Sequence, residues 1–333
     1  MGIKEKIISL GSKFQTDDIA KSYPLDYCIP VYHAVSDGPL PHLRNIIQYK
    51  TQKEFEKDLD ILSRNFQFVS WDEFKDFHNG YFKPKKKIAL LTFDDGLVEF
   101  HDVVVPILER KGIYAVNFIN PAFIGNQDLM FRCKASLLIE RVAQMDKNTL
   151  TTIPGIELTH DIKKLLISKI QAFTYDDRFI LDRIASHFKF SFTDFLIDYR
   201  PYMTLDQLHS VVSKGFGISN HGFDHPLYNT LEPAEQIQNT VAGHEFLTKH
   251  FNVESFAFPF TDYGVKKEFF DEIYKKEDLF CTFGSAGLKL DSVKKNLQRI
   301  PMENGKDAAQ ILKEEIAYFK LKKLLNKNTI HRK

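Results

Sequence analysis

The sequence predicts an α/β fold in which parallel strands close into a barrel with helices outside, interrupted by one helical insertion. Three observations carry this prediction. Short apolar runs of strand length alternate with amphipathic helical patterns along most of the 333 residues. The polar clusters FDDG and SNHGFDHP each follow such a run directly, at the C-terminal strand ends where parallel barrels gather their functional groups. No internal repeat or low-complexity linker divides the chain, so a single barrel domain over 1–333 is expected, with an insertion at about 126–202 and a basic tail at about 320–333.

The elements follow in order. Tyr27–Tyr32 (YCIPVY) reads as the first strand. Thr51–Phe66 reads as a helix, with Phe55, Leu59, Leu62 and Phe66 on one face and a capping box between Thr51 and Glu54. Ile88–Phe93 is a strand. Val98–Lys111 is a helix ended by Gly112, and Tyr114–Asn120 is a strand. The rhythm then breaks. Helical patterns at Lys134–Met145, Asp161–Phe173 and Arg178–Phe188, with no clear strand among them, mark the insertion. It resumes with a helix at Thr204–Lys214, a strand at Phe216–Ser219, a helix at Pro233–His250 and a strand at Ser255–Phe258. A helix at Lys266–Lys276 and a strand at Leu279–Phe283 follow. The tail from Lys320, KLKKLLNKNTIHRK, holds six Lys or Arg and no acid. It reads as a frayed, solvated terminal helix, with contact to an anionic membrane surface as the alternative.

Bulk properties exclude several classes. A net charge of +1 gives no electrostatic case for a nucleic-acid partner. The three cysteines, Cys28, Cys133 and Cys281, are widely spaced and odd in number. They form neither a disulfide framework nor a CxxC metal site, and buried thiols are expected. The 30 Phe and 13 Tyr mostly supply core, although flat aromatics also suit carbohydrate. No run of 18 apolar residues is present, so no transmembrane segment is expected. The N-terminal stretch has no secretory h-region, and Lys6 stands where a myristoylation signal needs Ser or Thr. A cytoplasmic location is therefore expected, with the basic tail as a route to the inner membrane surface.

The chemistry begins with Asp94 and Asp95. An acidic pair at a strand end either caps the helix after Gly96 or serves a site, and Gly96 permits the sharp turn that lets both carboxylates reach one pocket. His221 and His225 lie four apart in a segment that Gly222 and Pro226 keep from being a regular helix. Two neutral imidazoles and one carboxylate suit a divalent metal, Zn²⁺ first, with Co²⁺ or Ni²⁺ as alternatives. SFAFPFTDYG, with Pro259 and Tyr263, would form one wall of the pocket, and the backbone N–H near Phe260 would serve as an oxyanion donor.

Together, TFDDG, the HxxxH-type turn after FGIS and the later FAFPF resemble the polysaccharide deacetylases of carbohydrate esterase family four. The likeness covers about Ile88–Gly125 and Met203–Phe283 and leaves the insertion unmatched. It implies a distorted (β/α)7 TIM-like barrel and metal-dependent removal of acetyl groups from sugars. It further implies Asp94 as general base and Asp95, His221 and His225 as metal ligands. The family's late Leu-x-His motif, source of its general acid, is absent. PVYHAVSD at the end of the first strand instead resembles the circularly permuted deacetylases of poly-N-acetylglucosamine exopolysaccharide, which implies His33 as the acid. Barrel closure would set this first strand beside the last. The arginine that orients the base in the family is replaced by Ala257; Arg299 and Arg132 are the candidates to supply that charge.

The expected function is hydrolytic N-deacetylation of an N-acetylhexosamine glycan or glycan precursor. Amide nitrogen is a poor leaving group, so an acid at His33 favours N- over O-acetyl substrates. The alternatives are a cyclic imide or ureide amidohydrolase of the same fold and an inactive sugar-binding module.

Overall fold

A computed structural model describes residues 18–146 and 162–333. The stretch read for a leader or lipid signal lies outside the described residues, as does Asp161, the expected start of one insertion helix.

The barrel consists of parallel strands labelled here β1 (Pro30–Tyr32), β2 (Leu91–Phe93), β3 (Ala115–Ile119), β4 (Gly217–Asn220), β5 (Ser255–Ala257), β6 (Cys281–Gly284) and β7. β7 has two halves, Asn296–Gln298 and Ile300–Pro301, which meet at Arg299. The first half pairs with β6 and the second with β1, so the chain changes partner at Arg299 and the barrel closes there. β1 pairs with β2, and β2 to β6 pair in sequence order.

The distortion lies at the bottom of the first two strands. The runs Tyr27–Tyr32 and Ile88–Phe93 each break at one residue, Ile29 and Leu90. Their lower halves, Tyr27–Cys28 and Ile88–Ala89, join Gln67–Phe68 in a separate three-stranded parallel sheet. The expected helix after β2 is also modified. Its first turns are a π-helix over Phe100–Val104 before regular helix at Val105–Lys111, and the Val105 N–H reaches back to the Phe100 carbonyl. Pro106 has no N–H for the next bond of a regular ladder.

Alternation along the strands sets which side chains face inward. Ile29, Leu90, Val116, Phe118, Ala257, Phe283 and Leu297 pack into one barrel core. Their neighbours Cys28, Ala89, Leu91, Phe93, Ala115, Ile119 and Ile218 face the helices. With a period of two, His33, Asp94 and Arg299 continue the inward rows of Ile29, Leu90 and Leu297.

The insertion leaves and re-enters at one neck. The Asn126 side chain donates to the Tyr202 carbonyl (3.1 Å) and accepts from the Tyr202 N–H (2.9 Å). Helices Phe131–Gln144, Ile162–Ala172, Arg178–His187 and Phe192–Tyr199 lie between and share a core of their own. That core continues into Ala34, Leu40 and Leu97 of the barrel loops.

The tail differs from the expected frayed helix. Ala308–Leu324 is helical and only its end is solvated, with Leu324 83% exposed. Beyond it, Thr329–Ile330 pairs with Leu290–Asp291. The Arg332 side chain is only 2% exposed and forms ion pairs with the buried Asp262 and Asp291. One cation of the supposedly free basic run is thus neutralised inside the protein. Cys28, Cys133 and Cys281 are buried free thiols. Among the described residues no helix is long and apolar enough to cross a membrane.

Candidate active site

The inward row of β2 ends in Asp94, whose N–H donates to the Tyr32 carbonyl of β1 (3.0 Å). A regular strand would send Asp95 to the opposite face. Asp95 instead adopts left-handed backbone (φ 74°), as does Gly96 (φ 67°), and this returns the Asp95 carboxylate to the same pocket. A non-glycine residue held there carries local strain of the kind that clusters at functional sites. His225 (φ 62°) and Phe260 (φ 56°) share that conformation.

His221 extends β4 inward. Its Nδ1–H donates to the Ala257 carbonyl at the end of β5 (2.8 Å), so Nε2 is left with its lone pair toward the aspartates. The turn that brings in His225 is tied from several sides. Asn120 at the end of β3 donates to the carbonyls of His221 (2.7 Å) and Gly222 (3.1 Å). The Phe223 N–H donates to Asn239 Oδ1, and Asn239 Nδ2 donates to Asp224 (2.6 Å). Glycine is needed at 222, where φ is +76° and a Cβ would stand 2.7 Å from Asn239 Oδ1. The Tyr175 hydroxyl of the insertion donates to Asp224, and Phe131 packs against Phe260 (6.1 Å between ring centroids). The insertion therefore flanks the site.

Asp95 Oδ1 lies 3.2 Å from His225 Nε2 and 3.5 Å from His221 Nε2. One ligand atom from each of Asp95, His221 and His225 falls within 4.8 Å of the others. All three residues are buried, and Asp95 Oδ1 and His221 Nε2 have no hydrogen-bond partner. Unsatisfied buried polar atoms are costly, and convergent orphan donors of nitrogen and oxygen type are what a divalent ion such as Zn²⁺ takes. The residues therefore fit a metal. Burial keeps the His225 imidazole below its ordinary pKa despite the pull of Asp95, which leaves the ring neutral, as a ligand must be. Burial pushes the Asp95 carboxyl up, but His225 and His221 hold it well below the usual carboxylate range.

Asp94 faces this cluster, with Oδ2 3.7 Å from His221 Nε2. Arg299, only 1% exposed, grips it with two bonds, Nη1 to Oδ1 (2.6 Å) and Nη2 to Oδ2 (2.8 Å). The guanidinium also lies over the Phe118 ring (5.2 Å). Burial alone would raise the Asp94 carboxyl; Arg299, then His221, outweighs it and keeps Asp94 ionised. Arg132, the other arginine considered from sequence, is elsewhere. It stacks on Phe131 and donates to the Gln171 carbonyl within the insertion, because its helix belongs to the insertion core rather than to a barrel strand.

His33 follows Tyr32 at the end of β1, beside Asp94 on the neighbouring strand, since Tyr32 and Phe93 are register partners. Its Nδ1 contacts Glu303 Oε2 (2.5 Å), and Glu303 also accepts from the backbone N–H groups of His33 (3.0 Å) and Ala34 (3.1 Å). Burial lowers the imidazole pKa, but Glu303, with Asp95 and Asp94 behind it, raises it to about 10. Glu303 had no signal in the sequence beyond its place four residues after Arg299. Asn120 was likewise not singled out.

The wall from β5 is mixed. Pro259 is buried, while Phe260 lies at the surface with its ring edge-to-face against His225 (4.4 Å between centroids). Tyr263 is 77% exposed, and its N–H donates to Thr261 Oγ1.

Residues 82–150, which contain the aspartate pair, match the family model described as polysaccharide deacetylase. No curated protein matches the chain. Among solved structures, the Streptococcus pyogenes deacetylase PplD is similar at a TM-score of 0.56 and 15% identity, covering 87% of this chain and 97% of its own. IcaB from Ammonifex degensii is similar at a TM-score of 0.54 and 15% identity, with the same coverage. A polysaccharide deacetylase from Bacillus cereus is similar at a TM-score of 0.52 and 11% identity, covering 87% of this chain and 68% of its own. At these identities the solved structures speak for a shared fold alone, and the family-model match covers residues 82–150 only.

Proposed function

We propose that the protein is a metal-dependent hydrolase that removes N-acetyl groups from an N-acetylhexosamine glycan or glycan precursor. One observation carries the reading: Asp94, gripped by the buried Arg299, and His33, paired with Glu303, end neighbouring strands beside a metal-competent Asp-His-His cluster. A pure binding module has no need of an arginine-gripped carboxylate and a glutamate-paired imidazole beside such a cluster.

Asp95, His221 and His225 would hold a divalent ion, Zn²⁺ by the donor set, which would supply Lewis acidity toward the acetyl carbonyl and toward an attacking water. Asp94 takes the proton from that water as it adds to the carbonyl carbon. Arg299 acts as a positioning residue, fixing the Asp94 carboxylate and keeping it unprotonated beforehand. The backbone N–H at Phe260 donates to the oxygen that gains charge. His33 gives its proton to the departing nitrogen as the C–N bond breaks, so the products are acetate and a free amine. Glu303 keeps that proton on His33 until it is needed.

The test is acetate release from N-acetylglucosamine oligomers by metal-reconstituted protein, together with bound metal measured by elemental analysis. Release that depends on metal and disappears in Asp94→Asn supports the reading. Undiminished release by Asp94→Asn ends the assignment of the base. Failure of His225→Ala to reduce metal content ends the assignment of the ligands.

A further inference from the structure

A cavity of about 600 Å³ lies beside the barrel mouth. Its walls come from three places: the loop after β1, the first turns after β2, and the insertion, through residues such as Ser36, Glu99, Gln144 and Tyr199. Ser36 is three residues past His33 and Glu99 four past Asp95, so the segments that carry the acid and the aspartate pair run directly into its rim.

Its electrostatics are unbalanced. Glu140 on its wall pairs with Arg44 (3.3 Å) and accepts from Asn45 (2.8 Å). Asp102 pairs with His101 (2.6 Å). Glu99 is only 8% exposed, and its Oε2 has no hydrogen-bond partner. No cationic side chain among the described residues pairs with it. A buried carboxyl left in this condition is costly unless something supplies a donor or a positive charge. Burial, helped by Asp102, pushes it up to about 7, in keeping with a group awaiting a counter-charge. Beside it Tyr199 is half-exposed, held by its hydroxyl on the Pro39 carbonyl (2.7 Å) and stacked on Phe195 (5.0 Å between centroids). A fixed aromatic next to a buried acid, in a pocket with hydroxyl and amide groups, matches a ring that carries both hydroxyls and a positive nitrogen.

We propose that this cavity is a second saccharide subsite, taking a hexosamine residue with a free ammonium group whose nitrogen docks on Glu99. The choice of an amino sugar rests on the deacetylase reading, since that reaction turns an acetamido group into an ammonium. An enzyme with such a subsite reads units already deacetylated while it acts on the next one.

The experiment is titration of Asp94→Asn protein, which binds without turnover, with glucosamine, N-acetylglucosamine and partly deacetylated oligomers, followed by calorimetry or NMR. Glucosamine is expected to bind at least about tenfold more tightly than N-acetylglucosamine, as a charge-assisted bond requires. Adding Glu99→Gln should remove that preference, and retained metal uptake by the double variant shows that it is folded. Binding of the oligomers but not of free glucosamine, again lost with Glu99→Gln, places the ligand within a polymer. Equal affinity for the two monosaccharides together with oligomer binding unaffected by Glu99→Gln overturns the subsite. Acetate release by the wild type is scored separately. Release without ammonium-dependent binding refutes the subsite alone, and such binding without release refutes the reaction alone.

Discussion

Replacing Arg299 by Gln should reveal how the Asp94 carboxylate is held ionised. The two guanidinium bonds to Asp94 are short and both partners are buried. Removing one member of such a pair leaves an uncompensated charge and costs about 3–5 kcal/mol. At about 2–4 °C per kcal/mol for a domain of a few hundred residues, the melting temperature of metal-free protein should fall by several degrees. The pH dependence is diagnostic. In the wild type the Asp94 carboxyl is held below its ordinary value, so its contribution to stability is present above that ordinary value and is lost as pH falls through the depressed one. In Arg299→Gln, burial is unopposed by the guanidinium and the carboxyl rises. The deficit should then be present already at pH 4, where the wild-type contribution is in place, and grow further toward pH 8. Adding Asp94→Asn removes the stranded charge, so the double variant should be more stable at pH 8 than Arg299→Gln alone. The assay is thermal denaturation of the wild type, both single variants and the double variant at the two pH values. Additivity within about 0.5 kcal/mol, or a deficit that does not vary with pH, would refute the argument. In turnover, the acid limb of acetate release should move to higher pH.

Other outcomes follow from the same structure. Glu303→Gln removes the main influence that raises His33, so the alkaline limb of kcat should move to lower pH while metal content stays unchanged; an unmoved limb refutes the pairing. Glu99 has its carboxyl raised from 4.5 to about 7, equivalent to about 3 kcal/mol, and this penalty is absent below the lower value and complete above the upper one. Glu99→Gln should therefore stabilise ligand-free protein at pH 8 but not at pH 4, as read by denaturant midpoints. Arg332→Ala strands Asp262 and Asp291 and should cost about 3–5 kcal/mol in chemical denaturation, where a truly frayed tail would show no change.

The parts of the site legible in the sequence are those that alternation and local turn chemistry dictate. Asp94 and His221 extend inward strand rows, and the glycines beside them mark the turns. The insertion boundaries near Asn126 and Tyr202 showed where the strand–helix rhythm stops. What stayed hidden depends on pairings distant in sequence. Nothing near His33 points to Glu303, 270 residues away. The tail looked free because its basic composition says nothing of Asp262 and Asp291, which the connections after β5 and β6 place beside Arg332. The splitting of the first two strands at Ile29 and Leu90 is equally silent, since both residues are as apolar as their neighbours and the break is set by which sheet each half can join.

The kink in the closing strand has a consequence for how the protein comes to life. Arg299 and Glu303 flank the second half of β7, and each grips a residue brought in by the opposite end of the chain, Asp94 and His33. Chain entropy makes such distant contacts late ones. A molecule with every helix formed and the first six strands paired still has an unanchored Asp94 and a His33 without its partner. On the proposed reaction, hydrolytic competence is thus gated by completion of the ring.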